Sequence, residues 1–209
     1  IAPTLASILV EHDPFLAMLP DFGIAHRLDN DTSGLMVVAK TNDALVLLSQ
    51  QFRSPSPLPS RERERERGQF AVKEYTALVL GSPPNGGAID DPIAHHPRKK
   101  AKMIVDDEGR PAKTDYTVTQ RYRDYSLLTV TIATGVRHQI RVHLASAGFP
   151  LAGDRLYQNP KKRAIDTLPL QRHFLHASRL TITHPVTGKR RTWTSKLPDD
   201  LTTILSELS

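Results

Sequence analysis

The stretch His26-Arg27-Leu28-Asp29-Asn30-Asp31-Thr32-Ser33-Gly34 is followed at once by Leu35-Met36-Val37-Val38-Ala39, and this junction decides how the rest of the chain is read. A polar segment running straight into an apolar one reads as a loop feeding a buried strand, with Thr32, Ser33 and Gly34 supplying turn chemistry. Loops held at the mouth of a rigid sheet are where proteins place reactive groups. Asp29 has Arg27 two residues before it and Asp31 two residues after it. A neighbouring guanidinium favours the ionised carboxylate, and a second carboxylate disfavours it. Taken alone, the string reads equally well as a surface turn with solvated charges, so the other segments have to decide.

The chain has 209 residues, 39% hydrophobic and 24% charged, which fits a soluble globular protein with a substantial core. No apolar run approaches the ~20 residues that a membrane span needs, so no membrane partner is expected. The start, Ile1-Ala2-Pro3-Thr4-Leu5, has neither an initiator Met nor the basic-then-apolar order of a signal peptide, and a processed, trimmed or incomplete N-terminus is expected. Cysteine is absent, which removes a disulfide framework, a thiolate nucleophile and a zinc–cysteine site, and fits a cytoplasmic protein. A formal net charge of +6 and a pI near 9.7 favour a polyanionic partner. The clusters Arg98-Lys99-Lys100-Ala101-Lys102, Arg137 to Arg141, Lys161-Lys162-Arg163 and Lys189-Arg190-Arg191 sharpen this, because phosphate neutralisation depends on local groups of cations.

Along the chain, Thr4 to Leu19 predicts a short helix interrupted at Pro14 and ended by Pro20. Met36 to Ala39 predicts a strand, and Asn42 is placed as the cap of a helix through Phe52 that carries Leu45, Leu48 and Phe52 on one face. Residues 53–68 differ in kind: prolines and serines, then Arg61-Glu62-Arg63-Glu64-Arg65-Glu66-Arg67. In a helix that alternation would set like charges at i,i+4 and offer no apolar face, so the segment reads as a low-complexity insertion without a catalytic part. Its deletion from Pro55 to Arg67 is expected to leave folding intact. Val72 to Leu80 predicts a strand, Asn85-Gly86-Gly87 a turn, and His95-His96-Pro97 opens a basic loop. Ala112 to Gln120 and Tyr125 to Ala133 predict a hairpin, and Val136 to Ala147 a helix terminated by Gly148. Phe174 to Thr183 and Arg190 to Thr194 complete the strands, and Leu201 to Leu208 a closing helix. Strands in hairpin-like runs outnumber helices, which is an α+β pattern.

Chemistry concentrates in three segments: the Asp29 loop, the strand with Lys73 and Tyr75, and Thr134-Gly135-Val136-Arg137-His138-Gln139-Ile140-Arg141-Val142-His143-Leu144. The third begins at a strand-to-helix transition, where backbone N–H groups and arginines form an anion site. His138 and His143 are five apart, which is not the spacing of one helical face, so they read as polar packing and no metal is expected. His95-His96 reads as a turn.

The order HRLDNDTSGLMVVAKT, KEYTALVLG, GVRHQIRVHLASAGFPLAGDRLY and LHASRLTITHP resembles the RluA-type family of pseudouridine synthases, from about Gly23 to about Asp200. GGAIDDPIAHHPRKKAKM and GRPAKTDY further resemble the branch acting on large-subunit ribosomal RNA. The resemblance implies a single catalytic domain over 1–209, with a central, mainly antiparallel or mixed sheet flanked by helices and loops. It implies isomerisation of uridine to pseudouridine in ribosomal or transfer RNA by a monomer that needs no cofactor. Asp29 would be the catalytic aspartate, Arg141 the partner that holds its charge, and Tyr75 a group stacked on the uracil that could also remove the C5 proton. Arg27 would fill the gap left in the RNA when the base flips out, Leu175 would form an apolar wall, and His26, Arg137, His138 and Gln139 would face the RNA. The family's TGRTHQIR departs here to Val136 and Arg137, which removes one rim contact unless Arg137 replaces it. A Lys-Pro strand before the aspartate loop and an N-terminal S4 RNA-binding domain, both common in the family, are not visible in the sequence. The competing reading is a noncatalytic RNA-binding paralogue. A hydrolase using Asp29 and Asp31 is disfavoured, because two carboxylates so close on one loop are poorly placed to flank a substrate.

Overall fold

Val72 to Leu80 is the strand on which the rest is assembled, and the computed structural model, which describes residues 3–53 and 70–208, places it at the centre of a seven-stranded sheet. In chain order the elements are α1 (Leu5–His12), two 3₁₀ turns (Pro14–Met18 and Pro20–Gly23), β1 (Ser33–Gly34), α2 (Asn42–Phe52) and β2 (Val72–Leu80). They continue as β3 (Gly86–Ile89), β4 (Ile93–His95), β5 (Met103–Val105), β6 (Thr114–Arg121), β7 (Tyr125–Ile132) and α3 (Gln139–Ser146). Last come α4 (Pro160–Ile165), β8 (Leu175–Thr183), β9 (Arg190–Thr194) and α5 (Asp199–Leu208). The sheet runs β1-β8-β2-β7-β6-β3, with β9 also on β8, and β4 and β5 form a separate hairpin. Among the described residues only β1 lies parallel to its neighbour; the other pairs are antiparallel, so the sheet is mixed and mainly antiparallel, as expected.

Alternation along the central strands sorts the core into two faces. Tyr75, Ala77 and Val79 of β2 meet Leu128 and Val130 of β7, Leu175 and Ala177 of β8, and Ile140 and Leu144 of α3. Leu78 and Leu80 turn the other way, onto Phe174 and onto Leu201 and Ile204 of α5. Leu45 and Leu48 of α2 cover Leu180 and Ile182 further along β8. Lys73 pairs in register with Leu180 and Tyr75 with Ala177, so both stand on the face shared by α2 and α3. A register shift between Glu74 and Tyr75 accommodates Ser178 beside Tyr75, a bulge next to the site of interest.

Several local expectations are corrected. Met36 to Ala39 is not a ladder strand: Val38 makes one isolated bridge with Ile24. Its donors go elsewhere, Val37 N–H to His26 Nε2 and Ala39 N–H to the Gly23 carbonyl, so no partner strand is required. Thr41, not Asn42, caps α2, its hydroxyl accepting from the Ala44 N–H. Gly86 and Gly87 belong to β3, where Tyr116 lies so close that a Cβ on Gly87 would stand 2.9 Å from its hydroxyl. Helix α3 starts at Gln139 and not at Val136, because His138 before it adopts a left-handed φ of 56°. The β4–β5 hairpin and α4 were not anticipated from periodicity, both being short. Residues 54–69, and with them nearly all of the low-complexity 53–68 stretch, lie outside the described residues.

Candidate active site

The C-terminal end of α2 and the N-terminal end of α3 flank a cavity of about 510 Å³ over the sheet, a size typical of small-molecule sites. Asp29, Tyr75, His26, Arg27, Arg137, His138, Gln139 and Leu175 all line it. Arg141 does not; it stands behind Asp29, with Nη1 3.5 Å from Asp29 Oδ2.

Asp29 begins a tight turn in which its carbonyl accepts from the Thr32 N–H, and Asp31 takes a left-handed φ of 70°. The turn is fixed from outside by the residues entering β8. Arg172 Nη1 donates to the Asp31 carbonyl at 2.9 Å, Thr32 Oγ1 lies 2.7 Å from His173 Nε2, and Ser33 Oγ lies 2.9 Å from His176 Nδ1. Gly34 completes the seam: at φ 114° it sits where a Cβ would be 2.3 Å from the Ala177 carbonyl oxygen. Ser33 and Gly34 therefore serve as a two-residue parallel strand, and Gly34 is there for close backbone approach. Burial, then the Arg141 charge, lowers the His173 pKa to about 4, so the ring is neutral in this seam at neutral pH.

Arg141 is buried, with 9% of its side chain exposed, and its tight partner is not Asp29. Its Nε and Nη2 donate to Asp154 Oδ2 and Oδ1 at 2.7 and 2.9 Å, a bidentate pair in which the Asp154 side chain is 1% exposed. Burial opposes the guanidinium charge, but the Asp154 hydrogen bonds and charge, with Asp29, outweigh it and raise the Arg141 pKa. The Tyr157 ring lies 5.1 Å from the guanidinium carbon.

Tyr75 is 7% exposed on β2. Burial, and then the Asp29 charge, push its pKa above the usual phenol value, so the neutral phenol is strongly favoured. This fits a stacking surface better than a base. Lys73, two residues away on the same face, is buried and donates to the Thr134 carbonyl at 2.8 Å; burial lowers its pKa to about 8.

Two expected RNA-facing residues are occupied within the fold. Gln139 uses its whole amide: Oε1 accepts from Thr134 Oγ1 and Val136 N–H, and Nε2 donates to the Lys113 carbonyl and Thr114 Oγ1. His26 Nε2 accepts from Val37 N–H, and its ring stacks on Phe52 at 4.1 Å; burial, with Lys73 next, lowers its pKa to about 4. Both residues hold the pocket wall, one through a full set of hydrogen bonds and the other through its ring. The anion site foreseen at the start of α3 is partly used as well, since Val136 N–H goes to Gln139 and Gln139 N–H to the Val136 carbonyl. His138 Nδ1 lies 2.8 Å from the Tyr157 hydroxyl. His143 is polar packing as read, between Thr114 Oγ1 and the Asp91 carbonyl. Val136 is buried among Ile93, Met103, Ala112 and Val142, while Arg137 is exposed at the cavity mouth with Arg27, Arg53 and Arg110.

Asp154, Tyr157 and the His173–Thr32 contact escaped the sequence reading. Gly153-Asp154-Arg155-Leu156-Tyr157 stands out in the sequence only as a string, without a pattern that pairs it to Arg141.

The family model described as RNA pseudouridylate synthase matches residues 8–146. The chain is 40% identical over 98% of its length to the ribosomal large subunit pseudouridine synthase D of Nitrosomonas europaea, and 38% identical over 97% to that of Escherichia coli K12. It is 42% identical over 98% to an uncharacterized RNA pseudouridine synthase of Chloroflexus aurantiacus. The chain spans 56–60% of the length of these relatives. The solved structure of human RNA pseudouridylate synthase domain containing 4 superposes with a TM-score of 0.67 at 25% identity, covering 88% of this chain and 75% of that one. Human RNA pseudouridylate synthase domain containing 1 shares the fold, with a TM-score of 0.69 at 23% identity over 96% of this chain and 78% of that one. The chain belongs to the RNA pseudouridylate synthase family, in its RluA-type branch.

Proposed function

We propose that this chain isomerises uridine to pseudouridine in RNA, with large-subunit ribosomal RNA as its substrate class. The observation that carries the reading is the convergence of three separate segments, which bring Asp29 and Tyr75 to one cavity over the sheet with Arg141 directly behind Asp29. The names of the relatives from Nitrosomonas and Escherichia support the ribosomal class. The four exposed arginines at the mouth fit a phosphate backbone, whose charge they would neutralise.

The chemistry follows from the site. A uridine flipped out of its stack enters the cavity, and Arg27 at the rim occupies the gap it leaves. The Asp29 carboxylate attacks the flipped nucleotide, at the sugar or at the base ring. The glycosidic C–N bond breaks, the uracil rotates, a C–C bond forms between C5 and the ribose, and the bond to Asp29 breaks to return the free carboxylate. The proton lost from C5 is balanced by one gained at N1, so the reaction is redox-neutral. Tyr75 stacks on the uracil as a neutral phenol, and Leu175 forms the apolar wall. The enzyme acts in the cytoplasm as a monomer.

Tritium release from RNA labelled at uridine C5 tests this, comparing the wild type with Asp29→Asn. Release by the wild type and none by the variant is expected. Equal release from both removes Asp29 from the chemistry, and a folded wild type that binds RNA without release supports the noncatalytic paralogue.

A further inference from the structure

The cluster Lys161-Lys162-Arg163 belongs to α4 and lines no part of the cavity. Arg155, exposed, joins it, because Arg163 Nη2 donates to the Arg155 carbonyl. Among the described residues none of these four cations has an ion-pair partner. The acidic residue nearest to them in sequence after α4, Asp166, is turned into the fold instead. Its carboxylate accepts from the Gly153 N–H at 2.7 Å, from Gln158 Nε2 and from the Tyr125 hydroxyl at 3.2 Å. The helix is fixed at its start, with Pro160 as first residue and Asn159 Oδ1 accepting from the Lys162 N–H at 2.9 Å. Lys162 Nζ lies over Gly81 at the end of β2, where a Cβ would stand 3.6 Å from it. A helix dipole favours cations in the last turn, which accounts for Lys162 and Arg163. It does not account for Lys161 in the first turn or for Arg155 outside the helix, and like charges gathered without a counterion repel one another.

We propose that Arg155 and the three α4 cations form a second RNA contact, outside the cavity, for the phosphate backbone flanking the target uridine. This rests on the function proposed above. The surface is continuous with the site: His138 on the cavity wall lies 2.8 Å from the Tyr157 hydroxyl, and Asn159, the cap of α4, follows closely in sequence. Lys102, whose Nζ lies 5.4 Å from the Tyr157 ring, stands on that path. Along β2, the run from Tyr75 to Leu80 covers roughly 17 Å at ~3.3 Å per residue. A stacked strand rising ~3.4 Å per nucleotide crosses that separation in about five nucleotides. A uridine flipped into the cavity therefore leaves its own strand within reach of α4. There, charges on long stems neutralise phosphates without reading a base.

The test is equilibrium binding of two labelled RNAs to the wild type and to the double variant Arg155→Gln, Lys161→Gln, across about 50–200 mM salt. One RNA is a hairpin with the uridine in its loop and a stem of about ten base pairs, one helical turn. The other is the uridine with a pair of nucleotides on each side, too short to reach α4. On the hairpin, the slope of log Kd against log salt should become shallower by about 2, one phosphate contact per cation. On the short RNA the slope should match the wild type, and single-turnover pseudouridine formation at saturating hairpin should keep the wild-type rate. An unchanged slope on the hairpin, or the same change on the short RNA, overturns the proposal. The swap Arg155→Lys, Lys161→Arg keeps both charges and should retain the wild-type slope; a loss equal to that of the glutamine pair would trace the effect to something other than charge and overturn it too. If the glutamine pair does not fold, Lys161→Gln alone decides, with a slope shallower by about 1 expected and an unchanged slope refuting the contact. Binding is read without turnover, so a hairpin that binds through α4 but is never isomerised would sink the function alone. Isomerisation with an unchanged slope would sink the second contact alone.

Discussion

The floor and the mouth of the cavity are built on opposite principles. On the floor, Arg141 lies between Asp154 and Tyr157, the Asp29 turn is seamed to β8, and Tyr75 is packed on β2 beside a bulge. At the mouth, Arg27, Arg53, Arg110 and Arg137 are exposed. Preorganised groups stabilise a reacting centre without reorganisation, whereas exposed cations contribute a screened attraction to a backbone. Substitutions in the two regions should therefore differ in kind: the floor should govern rate and stability, and the mouth affinity and its salt dependence.

The largest effect is expected at Asp29. Asp29→Asn should lower the single-turnover rate roughly 10⁴-fold, the scale seen when a nucleophilic centre is disabled, with RNA binding nearly intact. Loss of binding in proportion to rate would break the contrast between floor and mouth. Next comes the seam. Gly34→Ala places a methyl group against the Ala177 carbonyl at a φ of 114°, and should cost roughly 3 kcal/mol, about 10 °C in Tm by calorimetry. An unchanged Tm would show that β1 does not depend on close approach to β8.

A pH series sharpens the same contrast. His26 and His173 titrate near 4 in the fold, against an ordinary value of 6.5. Between those limits the unfolded chain binds more protons than the folded one, so stability falls as the pH is lowered from 6.5 toward 4 and is level, as far as these groups go, above about 7. Thermal unfolding across that window should show the decline, and His173→Gln should flatten part of it. A decline equally steep in the variant would remove His173 from the cause. The smallest effects belong to the mouth. Arg27→Ala and Arg137→Ala should each leave the Tm unchanged and reduce the slope of log Kd against log salt by about 1, as for one lost phosphate contact. A change in rate at saturating RNA would show that one of these side chains reaches the reacting base.

Much of this architecture is legible without coordinates. Val72–Leu80 and Arg190–Thr194 are read from β-rich runs to their last residues, and the β6–β7 hairpin nearly so, because alternation and turn residues act locally. The errors share one cause. Met36 to Ala39 has a strand's composition, but its donors are taken by a histidine ring and a glycine carbonyl brought in by the chain's path. Gln139 and His26 do line the cavity, but the hydrogen bonds by which they hold its wall do not show in the sequence, where a side chain's chemistry is visible and its partners are not.

The sequence by itself determined the strand pattern, the basic surplus and the three segments carrying Asp29, Tyr75 and Arg141. Each of these depends on neighbouring residues or on composition. Only the tertiary structure decided that Arg141 pairs tightly with Asp154 and loosely with Asp29. It alone showed that the Asp29 turn is held from the start of β8, and that four arginines gather at one mouth. These are long-range contacts, and which of several chemically able partners a buried group takes is settled by packing distance and angle, which no local pattern encodes.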